Sequence, residues 1–153
     1  MRHVPTSRFR ALVLAVTIGL ASGCTQATHD ASPEPAAAPA VKRYSAQEAA
    51  ELVAKGEAIL VDVRERDEIA PGIAEPAFWM PLSGDGGYSW KELRDTLGTG
   101  RTALFYCRSG RRSGNMAKQL AAEGFKTGNA GGYSEWVSAG LPTRQPSPAR
   151  DRY

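Results

Sequence analysis

Histidine is nearly missing from this 153-residue chain: His3 and His29 are the only two, and both precede the stretch that reads as folded. That scarcity removes Ser-His-Asp triads, Cys-His dyads and histidine-ligated metal sites from the chemistries open to the domain. Cysteine is as scarce, with Cys24 and Cys107 alone. A single thiol within the domain excludes a structural zinc cluster, and the lack of a CxxC pair argues against dithiol–disulfide exchange. Excess charge of one sign is missing too. The formal net charge is +3, but residues 1–23 hold Arg2, Arg8 and Arg10 and no acid. Setting those three aside leaves the rest of the chain balanced, which gives no support for a nucleic-acid partner.

What is present begins with an export-type segment. Three arginines precede an apolar run over residues 11–20, and Ala21-Ser22-Gly23 supplies small residues for cleavage. The run is too short to span a bilayer, which takes about 20 apolar residues. Residues 20–24, Leu-Ala-Ser-Gly-Cys, resemble a bacterial lipobox with Cys24 as the lipidated residue, although Ala21 stands where leucine is usual. This predicts an exported, periplasmic protein held at the membrane by an N-terminal lipid. The alternative is an ordinary signal peptide whose removal releases a soluble protein. Thr25 rather than aspartate after Cys24 points to the outer membrane in a two-membrane cell. Residues 24–40 are rich in alanine and proline, cannot build a core, and read as a tether.

The folded domain is expected over residues 41–144, with a loose Pro-rich tail at 145–153. Residues 41–44 read as a first strand. Ser45 with Glu48 forms a capping box for a helix that Gly56 stops. Residues 58–63 are a near-continuous β-rich run, as in a strand buried on both faces. A short charged helix over 64–70, a strand over 77–80, a helix over 88–97, a strand over 102–106, a helix over 113–123, a strand over 125–129 and a helix over 133–139 follow. Strands alternating with helices predict an α/β fold with a central parallel sheet and helices on both faces.

The strand at 102–106 ends in Cys107, and Arg108-Ser109-Gly110-Arg111-Arg112-Ser113 leads into the next helix. A thiol there lies where open α/β sheets bind ligands. The helix N-terminus and the neighbouring guanidinium groups favour thiolate over thiol. The residues alone therefore point to an activated cysteine beside an anion site. The other carboxylates nearby, Asp67, Glu68 and Glu75, read as surface charge, and Trp79, Trp90, Trp136 and Tyr88 as packing residues.

Four pieces in order carry a family resemblance. They are Leu60-Val61-Asp62-Val63-Arg64; Pro71-Gly72 with Met80-Pro81-Leu82; the loop Cys107–Ser113; and Gly131-Gly132-Tyr133-Ser134-Glu135-Trp136 running to Pro142. Together they resemble a single rhodanese domain, the module of thiosulfate sulfurtransferases. Two positions depart from that pattern: Gly72-Ile73 replaces the usual glycine-histidine, and residues 127–130, Thr-Gly-Asn-Ala, lack the common leucine.

The resemblance implies that Cys107 takes a sulfane sulfur from thiosulfate or a similar anion, becomes a persulfide, and passes the sulfur to cyanide, a thiol or a protein acceptor. It implies no metal or organic cofactor. Arg108 and Arg111 are candidates for holding the substrate dianion. Gly110 allows the tight turn, and the N–H groups of residues 108–113, Ser109 and Ser113 included, can surround the sulfur. Arg112 is expected to turn inward onto Asp62 and fix the loop. Two other functions compete. A phosphatase or arsenate reductase loop needs five residues between cysteine and arginine, whereas four separate Cys107 from Arg112. A carrier or docking module would use the same fold without free turnover.

Overall fold

The computed structural model describes residues 40–98 and 100–151; the export segment, Cys24 and nearly all of the tether lie outside them. The elements are α1 (Ala46–Ala54), β1 (Ala58–Asp62), a 3-10 turn (Arg66–Glu68), β2 (Ile73–Ala74), β3 (Phe78–Trp79), α2 (Trp90–Leu97), β4 (Thr102–Cys107), α3 (Arg111–Ala122), β5 (Thr127–Gly132), α4 (Tyr133–Ser138), β6 (Thr143–Arg144) and α5 (Pro148–Asp151). Four strands form a parallel sheet in the order β3-β1-β4-β5, and β2 pairs with β6 as a small antiparallel ribbon.

Alternation along the central strands builds two cores. Ala58 and Leu60 of β1, with Leu104 and Tyr106 of β4, face α1 and α4. Ile59 and Val61, with Ala103, Phe105 and Cys107, face Leu93 and Leu97 of α2 and Ala117 and Leu120 of α3. Burial on both faces explains why β1 is apolar from Ala58 to Val61, before the buried Asp62 at its end. Each of the first two helices starts on a capping box, Ser45 with Glu48 and Ser89 with Glu92. Cys107 thus ends a strand inside the core that α2 and α3 cover.

Several elements differ from the sequence reading. Residues 41–44 form no strand: a single bridge joins Arg43 to Asn129, flanked by Tyr44 N–H on the Asn129 carbonyl at 2.8 Å and Asn129 N–H on the Lys42 carbonyl at 3.0 Å. The charged helix over 64–70 shrinks to a 3-10 turn, because Arg64 is drawn into the interior and the chain turns at Gly72. The last strand runs later than expected, over Thr127–Gly132, and carries three glycines. Gly128 explains how it packs without a leucine. A Cβ there would overlap the Tyr44 ring and stand 2.8 Å from Leu104 Cδ2, so the Tyr44 ring occupies the space a side chain would have used. Ile73, where the family's histidine would stand, is fully buried in the α1/α4 core.

The tail is a correction as well. Residues 145–151 are not loose: they fold back into α5, and Asp151 is completely buried. Its carboxylate receives Arg144 Nη1 and Nη2, both at 2.7 Å, and the Ser147 N–H at 2.8 Å. Arg144 also reaches the Ala77 carbonyl at 3.1 Å, so the pair anchors the end of the domain to the start of β3. Composition suggested a loose end because the closing interaction is ionic rather than apolar.

Candidate active site

β4 delivers Cys107 to the carboxyl end of the sheet, where Gly110 at φ 87° turns the chain into α3. A left-handed residue is required at that position, and a Cβ would also crowd Arg43 Nη1 at 2.8 Å. The turn wraps backbone around the sulfur. Gly110 N–H donates to Sγ at 3.2 Å, and the Ser113 hydroxyl lies 3.6 Å from it. Burial pushes the thiol pKa up. The Ser113 amide and hydroxyl and the amides of Ser109 and Gly110 outweigh that, leaving the pKa below the usual thiol value. The site therefore shifts Cys107 toward the thiolate while keeping the sulfur out of water.

The Ser113 hydroxyl has one proton and three acceptors in reach: Sγ, Asn129 Oδ1 at 2.9 Å and the Gly131 carbonyl at 3.5 Å. Asn129 binds the loop from the far side. Its Oδ1 accepts the Gly131 N–H at 2.9 Å, and its Nδ2 donates to the Gly110 carbonyl at 2.9 Å. Sequence reasoning missed Asn129, which stands in the stretch noted only for lacking leucine. The one signal was a polar residue inside a strand that should be apolar. Its partners depend on the irregular register of β5, where Phe105 faces Asn129 but Cys107 faces Gly132.

Asp62 requires a correction. It does not pair with Arg112 but with Arg64, whose Nε and Nη2 reach the carboxylate at 3.0 and 2.6 Å. Tyr106 Oη donates to the same carboxylate at 2.6 Å and accepts the Ala74 N–H at 3.1 Å. The reason is strand alternation. Asp62 is the register partner of Tyr106, and Tyr106 belongs to the α1/α4 face of the sheet. Cys107 lies on the opposite face with α3. Arg64 is itself buried, with its guanidinium 4.0 Å from the centre of the Tyr133 ring and its remaining N–H groups on the carbonyls of Glu68 at 3.0 Å and Gly72 at 2.7 Å. Burial raises the Tyr106 phenol far above its usual range, and the adjacent Asp62 charge adds to this, so Tyr106 stays protonated.

Arg112 pairs instead with Glu68, at 2.6 Å, and approaches Glu65 at 4.0 Å. Glu68 is thus not idle surface charge. Its other oxygen accepts the Glu65 N–H at 3.0 Å, and Arg112 holds its carboxyl below the usual range against the opposing effect of burial. Glu68 is the first support of Arg112's positive charge, and the Cys107 sulfur adds to it. Of the other expected surface carboxylates, Glu75 pairs with Arg150 at 3.0 Å.

The loop arginines do not share one space. Arg108 and Ser109 line a hollow of about 580 Å³ with Asp67, Glu68 and Tyr133. Arg111 lines a separate hollow of about 260 Å³ with Arg43, Asn115 and Lys118. Among the described residues no group of three or more histidine, cysteine, aspartate or glutamate side chains could hold a metal ion.

Comparison with known proteins agrees with this geometry. The rhodanese-like domain profile matches residues 45–139, and the chain belongs to that family. It is 38% identical over 92 residues to YtwF of Bacillus subtilis, whose name assigns it provisionally to the sulfurtransferases; the match covers 60% of this chain and 84% of that one. Among solved structures, the reduced CoADR-RHD of Bacillus anthracis aligns at TM-score 0.52 and 26% identity over 74% of this chain, but only 18% of its own length. The thiosulfate sulfurtransferase of Pseudomonas aeruginosa aligns at TM-score 0.56 and 23% identity, over 71% of this chain and 20% of its own, a likeness of fold. At the level of the family, the chemistry is sulfur transfer.

The ion-pair assignment is directly testable. Asp62→Asn strands a buried guanidinium and is expected to cost about 3–5 kcal/mol in urea unfolding. Arg112→Ala breaks a partly exposed pair and is expected to cost about 1 kcal/mol or less. The reverse order of losses would return Arg112 to Asp62.

Proposed function

We propose that the protein is a thiosulfate sulfurtransferase working through a Cys107 persulfide. The observation that carries this reading is the sulfur itself, buried yet held toward the thiolate by Gly110 N–H and the Ser113 hydroxyl. In the first half-reaction the thiolate attacks the outer sulfur of thiosulfate. A bond forms from Sγ to that sulfur, the thiosulfate S–S bond breaks, and sulfite leaves with its electron pair. The resulting persulfide anion occupies the same cradle of N–H groups, so the charge is stabilised before and after transfer. In the second half-reaction a thiophile takes the outer sulfur and returns Cys107 as thiolate. Neither step needs a metal or an organic cofactor.

A carrier that delivers sulfur to a partner protein is the second reading. The exposed cations Arg108, Arg111 and Lys118 around the loop favour it, since they suit docking of an acidic surface. The spacing of four residues between Cys107 and Arg112 remains the argument against phosphate or arsenate chemistry.

Reduced protein treated with thiosulfate is expected to gain the mass of one sulfur and then to form thiocyanate on adding cyanide, both lost in Cys107→Ser. An adduct without thiocyanate supports the carrier. No adduct at all sinks the thiosulfate reading.

The same proposal includes its place in the cell: an exported domain, anchored in the periplasm by lipid on Cys24. Labelled palmitate should enter the wild-type protein and not Cys24→Ala, which should leave the membrane fraction. Equal fractionation of the two would remove the anchor.

A further inference from the structure

Asn129 is the polar residue beside the loop that the proposed chemistry leaves without a part, and its contacts give it one. Its backbone is pinned on both sides. The N–H donates to the Lys42 carbonyl at 3.0 Å, the carbonyl accepts the Tyr44 N–H at 2.8 Å, and Phe105 is its register partner. Gly114 makes room for the side chain. A Cβ at Gly114 would stand 2.9 Å from Asn129 Nδ2, and glycine is a poor helix former in α3 otherwise. The helix that follows the reacting cysteine is thus notched for this amide.

The orientation of the amide follows from its partners. The Gly131 N–H, at 2.9 Å, can only donate, and the Gly110 carbonyl, at 2.9 Å, can only accept. Oδ1 therefore faces Gly131 and the Ser113 hydroxyl, 2.9 Å away. Oδ1 carries no proton, so that contact is a hydrogen bond only when Ser113 donates. With its proton toward Asn129, Ser113 Oγ offers a lone pair to Cys107 Sγ at 3.6 Å, which suits an uncharged sulfur. With the proton toward Sγ, the same hydroxyl supports a thiolate and leaves Oδ1 to the Gly131 N–H alone. Asn129 and Cys107 thus compete for one proton. The charged side chains around them are paired: Arg112 with Glu68 at 2.6 Å, and Arg43, beside Gly110 and Gly131, with Glu135 at 2.6 Å. From α2 the core around Cys107 receives Leu93 and Leu97 rather than charge.

We propose that Asn129 is a positioning residue that takes the Ser113 hydroxyl proton while Cys107 Sγ is uncharged and releases it when charge returns to the sulfur. The proton stays on Oγ throughout. Only the direction of the hydroxyl changes, and no covalent bond is made or broken in that swing. Its part in turnover rests on the persulfide reading. In a Cys107 persulfide the charge sits on the outer sulfur, so the hydroxyl points to Asn129. As an acceptor takes that sulfur, charge develops on Sγ and the hydroxyl turns to it. A contact that strengthens as the transition state forms speeds the step, whereas one equally strong beforehand does not. Asn129 supplies the resting position from which that gain is made.

The test titrates Cys107 by thiolate absorbance in the reduced full chain, in Ser113→Ala, in Asn129→Leu and in the double variant. Whatever support Asn129 lends to the loop is lost alike with and without Ser113, so it cancels in the cycle. Competition predicts that Ser113→Ala weakens Cys107 acidity about threefold with Asn129 present and about tenfold in the Asn129→Leu background, the span of one neutral hydrogen bond. An Asn129 that merely aims the hydroxyl at the sulfur would make the effect smaller in that background. An equal or smaller effect there overturns the proposal. A second measurement leaves Asn129 intact and decides the matter even where Asn129→Leu does not fold. The isotope-labelled side-chain carbonyl of Asn129 is followed by NMR. Its resonance should step with the Cys107 titration and lose most of that step in Ser113→Ala. Loading with thiosulfate at high pH should return it to its low-pH position. A resonance that ignores the titration, or an adduct that leaves it at its thiolate position, overturns the proposal. Mass spectrometry reports the adduct separately: without one the persulfide reading falls, while the titration cycle still decides the competition.

Discussion

A sulfur shifted toward the thiolate inside a hydrophobic core is the constraint on which this structure turns. Cys107 has no exposed surface and packs with Phe105, Ala117 and Leu120, surroundings that favour the neutral thiol. Only donors placed around the sulfur reverse that preference. They come from the backbone and one hydroxyl, because the described domain has no histidine to act as base. Backbone amides cannot be moved one at a time. The whole turn from Cys107 to Ser113 must therefore hold its shape, and the glycine at its centre and the asparagine behind it serve that end.

Support for the loop crosses the sheet from the opposite core. Asp62 and Tyr106 lock the ends of β1 and β4 together, and Arg64 extends that lock to the carbonyls of Glu68 and Gly72. Fixing the Glu68 carbonyl fixes its turn, and the Glu68 carboxylate then holds Arg112 in the first turn of α3. A run of ion pairs and hydrogen bonds thus links a buried pair on one face to Arg112, whose charge interacts with the Cys107 sulfur, on the other. Truncation anywhere along it should be felt at Cys107, most strongly where the charges are fully buried.

Much of this was legible in the sequence, for local reasons. Capping boxes, the apolar run of β1 and the strand–cysteine–glycine–helix pattern are each set by residues close in sequence. The central parallel sheet with helices on both faces followed from their alternation. What could not be read depended on which face a residue occupies. Arg64 stands two residues from Asp62 and Arg112 fifty, and only the register of β1 with β4 puts Asp62 on the face away from α3. Asn129 gained its role from an irregular register, and Gly128 from a ring supplied by Tyr44. The tail was misjudged because Asp151 and Arg144 look like surface charge until they are seen to bury each other.

The central claim is that the resting protein stores Cys107 as a thiolate by means of this cradle. Ultraviolet thiolate absorbance, followed against pH in the reduced protein with Cys107→Ser subtracted, measures it directly. The account predicts a midpoint below the ordinary cysteine value of about 8.5, with thiolate lost as pH falls through that midpoint. It predicts that Ser113→Ala moves the midpoint upward, since one hydroxyl donor is removed while burial remains. A wild-type midpoint at or above the ordinary value, unmoved by Ser113→Ala, would contradict it.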